Sequence, residues 1–352
     1  MPLWDGQNWQ WWVKAPPAGL IKIRPVEAMQ VHYVAKLQAA PDDLLVPFVE
    51  TMWQHLSYSD VCPLTSAISD SFEKMGTVVR KLQHTFTSRG VLGSHLASEF
   101  ASTEMEYLLV LARTVFDLVQ EAIARIWNRH VQLLDPEAER QRKQKGLVET
   151  FSKVVLVDKT RPRSAEEIES KFGLPPLLAS TYAQITPFFM QLRDARERVV
   201  HAGASLGLVY CTERGFCAHR ESKAFRGYDG WSDAHRYNET LVSILPWIAD
   251  LVLRTIGACN ALINAFAETI RLPPPLAPGY RVFVRGPCTA ALMHVLRVFE
   301  GASPWWSEGQ EENDALGFEQ RVRERAYFLS QHRTSGSDAT ADWLAAEQIE
   351  RG

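Results

Sequence analysis

Five cysteines in 352 residues, Cys62, Cys211, Cys217, Cys259 and Cys288, are too few and too scattered for a disulfide framework, and they lack the paired spacing of a zinc site. A reducing, cytoplasmic setting is the expectation. Charge of one sign is missing as well: 38 Lys and Arg face 41 Asp and Glu, a net of -3. The chain as a whole has no pull toward polyanions, so any nucleic-acid surface must be local. Long clean apolar runs are absent. The nearest, Leu241 to Ile270, is broken by Pro246, Asp250, Arg254, Asn260 and Asn264, so a buried helix is expected there and no membrane span. The first nine residues hold neither a basic region nor an apolar stretch, and no export signal is expected from them.

Several catalytic signatures are missing too. There is no Gly-x-x-x-x-Gly-Lys-Ser/Thr loop, no Gly-x-Gly-x-x-Gly and no His-Glu-x-x-His, which argues against nucleoside-triphosphate hydrolysis, dinucleotide redox chemistry and zinc proteolysis. What is there is an ordinary globular composition, 46% hydrophobic and 22% charged, long enough for a sizeable core. No internal repeat of solenoid length is visible.

Along the chain, residues 1–24 carry Trp4, Trp9, Trp11 and Trp12 without a sustained period and read as an aromatic N-terminal arm that must pack on something. Residues 25–300 read as a helical domain. Apolar spacing predicts two helices between Pro25 and Tyr58, the second starting at Pro41-Asp42-Asp43. A third is expected over 64–89 with Gly90 past its end, and a central core helix over 102–134. Glu106, Arg113, Asp117 and Gln120 form a polar stripe along it. The charge run 136–145 reads as a solvated extension or linker. Short pieces over 147–157 and 164–172 precede a helical run over 177–201, restarted at Thr186-Pro187. A β-hairpin is expected over about 207–219 around Glu213-Arg214-Gly215, with Cys211 and Cys217 facing each other across it as small packing residues. A long helix over 235–271, a strand over 280–285 and a helix over 288–299 follow. Residues 301–352 read as a weakly attached appendage with short helices near 316–331 and 338–349.

The least ordinary stretch is Phe188 to Gly203. On a helix, Ile185, Phe188, Phe189, Leu192 and Val199 share a face, and Arg196 falls on that same face. A guanidinium cannot shed its charge, so an inward arginine needs a carboxylate, carbonyls or a bound anion. His201 sits at the helix end marked by Ala202-Gly203, where unpaired carbonyls favour its protonated form, and Glu197 lies four residues before it. An arginine to neutralise charge and a histidine to move a proton suit phosphoryl chemistry.

This stretch resembles the Arg-x4–6-His signature of HEPN domains, carried here by Leu192-Arg193-Asp194, Arg196, His201 and Ala202-Gly203, with the hairpin Leu208 to Ala218 following. The resemblance implies a mainly α, HEPN-like helical bundle with one inserted β-hairpin. It also implies a metal-independent endoribonuclease of stress response or defence that needs no cofactor. The partners it implies are RNA or a nucleotide, no DNA, and a second copy of the chain in a homodimer through the 185–203 helix. Arg196 and His201 would be catalytic, the first holding the scissile phosphate while a ribose 2′-hydroxyl attacks. Arg193, Glu197 and Arg198 would bind or orient the substrate. The position after the arginine is commonly Asn, Asp or His in the family, and here it is Glu197, a carboxylate that would repel a phosphate or neutralise Arg196 unless Arg193 and Arg198 offset it. The alternative is a non-catalytic module of the same kind that binds a nucleotide, RNA or a partner protein. A third reading is an all-α interaction protein anchored by Trp4, Trp9, Trp305 and Trp306.

Overall fold

Helical apolar periodicity dominates the middle of the chain, and the fold it produces is mainly helical with small antiparallel sheets. The structure, a computed structural model, describes residues 2–4, 9–14, 20–23, 31–39, 41–133, 136–158, 160–201, 208–222, 225, 228–286 and 289–306, with backbone alone at 2–4, 9–14, 20–23, 31, 138, 141 and 199–201. The chain divides into Met1–Trp306 and Ser307–Gly352. The helices expected near 316–331 and 338–349 lie outside the described residues.

The N-terminal stretch is a sheet of three short strands, β1 (Pro2–Trp4), β2 (Trp9–Lys14) and β3 (Leu20–Ile23), paired antiparallel with Trp4 opposite Trp9 and Trp11 opposite Ile23. Its Trp, Val and Ile residues favour strands. β4 (Val31–Ala35) replaces the first of the two helices expected before Tyr58. The reason is a distant partner: β4 pairs with β8 (Arg281–Arg285), Tyr33 opposite Phe283 with their rings stacked at 5.5 Å. The second helix, α1 (Pro47–His55), starts at Pro47 and not at Pro41. Asp43 is unavailable as a helix-start residue, because its carboxylate accepts two bonds from Arg285 at 2.6 Å and one from the Tyr33 hydroxyl.

The core is built on α2 (Cys62–Thr87) and α4 (Ser94–Arg129), which pack together through Ile68, Met75, Leu82 and Phe86 on one side and Met105, Leu108, Ala112 and Val119 on the other. Gly90 does not end the first of these. It lies inside a single turn, α3 (Arg89–Leu92), and the break falls at Gly93, whose φ of 81° belongs to glycine. The charge run 136–145 is a helix, α5 (Pro136–Lys145), solvated over most of its described residues as expected, but Glu139 and Arg142 are buried and anchor it. Arg142 is 3% exposed, donates to both carboxylate oxygens of Glu139 at 2.7 Å, and also donates to the Trp127 carbonyl at the end of α4. Two short helices, α6 (Phe151–Val155) and α7 (Ala165–Phe172), lead into α8 (Pro176–His201). α8 runs through Pro187 without restarting: the Thr186 hydroxyl bonds back to the Tyr182 carbonyl at 2.7 Å and caps nothing, and Tyr182, Phe188 and Phe189 bury both halves on one core.

The hairpin forms as expected from β5 (Val209–Thr212) and β6 (Gly215–His219), extended by β7 (Leu241–Ser243). Cys211 opposes Phe216 and Cys217 opposes Tyr210, so the two thiols lie on opposite faces and do not meet. At Gly215, with φ 139°, a Cβ would stand 2.1 Å from the Trp306 ring. Trp306 is 3% exposed and packs on Phe86 and Phe216, so it is a core residue and no surface anchor. Trp305 is half-buried under Arg214. Residues through Trp306 therefore belong to the helical body, six beyond the end expected at 300. The long helix α9 (Leu245–Thr269) begins ten residues later than expected, and α10 (Thr289–Phe299) closes the order. Among the described residues α9 alone is long and apolar enough to cross a membrane, and more than half of its apolar window is buried inside the bundle.

Candidate functional site

An open cleft of about 780 Å³ lies between the C-terminal half of α8, the middle of α4 and the segment from Val148 to Phe172. Behind its lining residues stands a buried aromatic cluster. Phe151 of α6 and Phe189 of α8 meet at 4.7 Å, and Phe116 of α4 closes on both at 4.9 and 5.4 Å in edge-to-face contacts. Each such contact contributes about 1 kcal/mol beyond its buried area. A buried polar relay fixes the floor: the Tyr182 hydroxyl donates to Gln120 Oε1 at 2.7 Å, and Gln120 Nε2 donates to the Val148 carbonyl at 2.6 Å. Burial pushes the Tyr182 pKa upward, so this hydroxyl stays protonated.

The turn between α6 and α7 shapes the mouth. Asp158 Oδ1 accepts from the backbone N–H groups of Arg161 and Thr160 at 2.9 and 2.7 Å, and from the Thr160 hydroxyl at 3.0 Å. These bonds hold its carboxyl below the usual range. α7 opens with a capping box between Ser164 and Glu167 and ends at Gly173 in the left-handed conformation, φ 64°. Lys171 and Phe172 are thereby placed at the rim.

Six cations line this cleft: Arg113, Lys153, Arg163, Lys171, Arg193 and Arg196. Two acids, Asp158 and Glu197, stand against them. Four helices and the turn between α6 and α7 supply them, so the basic patch exists only in the folded chain, whose net charge is -3. Several cations are occupied. Arg113 pairs with Asp117 at 2.7 Å and lies over the Phe189 ring at 4.7 Å, and Arg163 Nε donates to the Val154 carbonyl at 3.1 Å. Arg193 Nε donates to Glu197 Oε1 at 2.9 Å. Arg196 forms no hydrogen bond or ion pair with any described residue, and neither does Lys153.

The residues singled out on α8 separate accordingly. The buried stripe runs Ile185, Phe188, Phe189, Leu192, Ala195. Ala195 takes the core position, and Arg196, half-buried beside it, opens into the cleft and not into the core. Glu197 is committed to Arg193 and leaves Arg196 unneutralised. Arg198 does not line the cleft and lies 3.9 Å from Asp194. His201 is the last residue of α8, and its side chain lies outside the described residues. Lys153, Arg163 and Lys171 escaped sequence reasoning because no spacing relates residues on different elements.

No family model, curated protein or solved structure matches this chain. The site therefore has to be read from its own chemistry. One further motif bears on that reading: Gly203-Ala204-Ser205-Leu206-Gly207 has the Gly-x-Ser-x-Gly form of a nucleophile elbow. It lies outside the described residues, yet it follows a helix and precedes β5. An elbow requires the reverse order, strand then helix. The exposed ring needed for base stacking is also missing among the described lining residues: Phe172, the one aromatic there, is 2% exposed. The cleft can hold anions on fixed guanidinium and ammonium groups, with aliphatic contact from Val148, Leu156 and Val157.

Proposed function

We propose that this chain binds RNA through its phosphates in the α8 cleft, as a HEPN-like protein with Arg196 as the central phosphate ligand. The observation that carries this reading is the Arg196 guanidinium, unpartnered among the described residues, in a cleft with six cations and two acids. A guanidinium held there with no carboxylate among the described residues is accounted for by a ligand that brings negative charge, here a phosphate. With no exposed ring among the described lining residues, affinity comes from phosphate charge, so binding is steep in salt and indifferent to base identity.

One observation favours a cleavage step as well. Glu197, the departure from the family pattern, pairs with Arg193, so the charge on Arg196 remains available to a pentavalent phosphorus. In the endoribonuclease reading, a ribose 2′-hydroxyl attacks the adjacent phosphorus, the 5′-oxygen leaves, and His201 takes the hydroxyl proton or returns one to the leaving oxygen. The homodimer through residues 185–203 belongs to the same proposal and is tested by the mass in solution.

The test is fluorescence anisotropy of labelled single-stranded homopolymer RNAs with wild type and Arg196→Ala. Binding at low salt, similar for each base, with an affinity drop of about tenfold in the variant, is the expected outcome. Absence of binding, or equal binding by the variant, overturns the reading. Denaturing gels with wild type and His201→Ala decide the cleavage step separately: products from wild type alone support it, and intact RNA with both leaves a binding protein.

A further inference from the structure

We infer that Glu197 is an internal stand-in for phosphate: it holds Arg193 in the empty cleft and gives it up when a phosphate enters, so that Glu197 limits the affinity of the site. The inference rests on the phosphate-binding reading of the cleft and names the residue that tunes it.

The geometry is specific. Arg193 and Glu197 stand one turn apart on α8, both line the cleft, and Arg193 Nε meets Glu197 Oε1 at 2.9 Å. The Arg193 side chain is 18% exposed, while Glu197 is 49% exposed. The cation is therefore held within the wall and the anion sits on its solvent side. Of the two acids in the cleft, Asp158 has its Oδ1 committed to the Thr160 and Arg161 amides and is part of the turn. Glu197 has no such backbone duty among the described residues.

The energetics favour exchange. An ion pair one helical turn apart whose anion is half-exposed contributes little, because water screens the carboxylate and two flexible side chains must be held still. A phosphate can accept two parallel N–H bonds from a guanidinium fork and brings greater negative charge. When it arrives beside Arg196, Arg193 changes acceptor, and the half-exposed Glu197 carboxylate returns to water at small cost. What stays is a negative charge next to the bound phosphate, which weakens binding and hastens release.

Removing that charge should expose the exchange. Glu197→Gln keeps the shape and drops the charge, and it should bind a labelled oligouridylate about threefold tighter than wild type at low salt. The dependence of log affinity on log salt should not become shallower, since Arg193 already contacts phosphate in the wild-type complex. The discriminating measurement is the cycle with Arg193→Ala. If Arg193 is the group released, Arg193→Ala alone weakens binding, and Glu197→Gln in that background gains less than in wild type. An equal gain with and without Arg193 overturns the exchange and leaves Glu197 as a merely repulsive charge. No gain from Glu197→Gln, while Arg196→Ala still loses affinity, overturns this inference and spares the phosphate-binding reading. No RNA binding by wild type and by Glu197→Gln overturns both. Melting temperatures of the variants within a few degrees of wild type confirm that the comparison is between folded proteins.

Discussion

Arg142 and Arg196 are both arginines in charged stretches of helix, and the fold uses them in opposite ways. Arg142, in a run without an apolar face, is 3% exposed, bonded to both Glu139 oxygens and to the Trp127 carbonyl. Arg196, next to a strongly apolar stripe, is half-buried and meets no acceptor among the described residues. The difference lies in what each guanidinium faces. The end of α4 leaves the Trp127 carbonyl available, and α5 delivers an arginine and an acid to it together. The wall beside Arg196 is made of other cations, aliphatic side chains and two acids that are taken up elsewhere, Glu197 by Arg193 and Asp158 Oδ1 by the Thr160 and Arg161 amides. The first arrangement is a finished structural bond, and the second is half of an interaction.

The contrast breaks most visibly at Arg142. Arg142→Ala removes three donor bonds from a buried cluster, leaving the Trp127 carbonyl without its donor and Glu139 with Lys143 as its remaining cation at 3.3 Å, at a cost of about 2 kcal/mol. Chemical denaturation should show a lower midpoint with an unchanged slope. Arg196→Ala, at an open position without a partner among the described residues, should stay within about 0.5 kcal/mol of wild type. Equal losses would mean that Arg196 also has a structural bond. The same cluster carries a pH signature. The Arg142 guanidinium, followed by the Leu133 amide, holds the Glu139 carboxyl down to about 2, from an ordinary 4.5. A depressed carboxyl stabilises the fold above its unfolded pKa and loses that contribution as pH falls through its folded one. The gap in melting temperature between wild type and Glu139→Gln should therefore be constant from neutral pH to about 5 and narrow between about 4.5 and 2.

These two arginines also show which parts of the molecule were legible in its sequence. The helices α2, α4, α8, α9 and α10 and the hairpin were visible because each carries its own periodicity or turn. β4 was not, because its pairing partner β8 lies at the other end of the domain and five residues fit either period. The anchoring of α5 through its buried Glu139 and Arg142 was hidden for a related reason: its partner is a carbonyl, which sequence does not display. In the site, Arg193, Arg196 and Glu197 could be read together because one helix sets their spacing. Lys153, Arg163 and Lys171 reach the same cleft from α6, α7 and the turn between them, a convergence that only the folded chain produces.

The smallest expected effect is the sharpest check on where the cleft ends. Arg198 shares α8 with Arg193 and Arg196, and its charge is equal to theirs, so a model in which overall helix charge attracts RNA treats all three alike. The fold does not. Two residues beyond Arg196 rotate the chain by about 200° on a helix, and Arg198 falls outside the lining, 3.9 Å from Asp194. Long-range attraction toward an exposed group decays within about 8 Å at physiological salt, so Arg198→Ala should lower RNA affinity by less than about twofold there, against about tenfold for Arg196→Ala. Lowering the salt lengthens that range and should bring the two variants closer together. If they already match at physiological salt, RNA follows the charge of α8 as a whole and the cleft between α4, α7 and α8 has no special part in holding it.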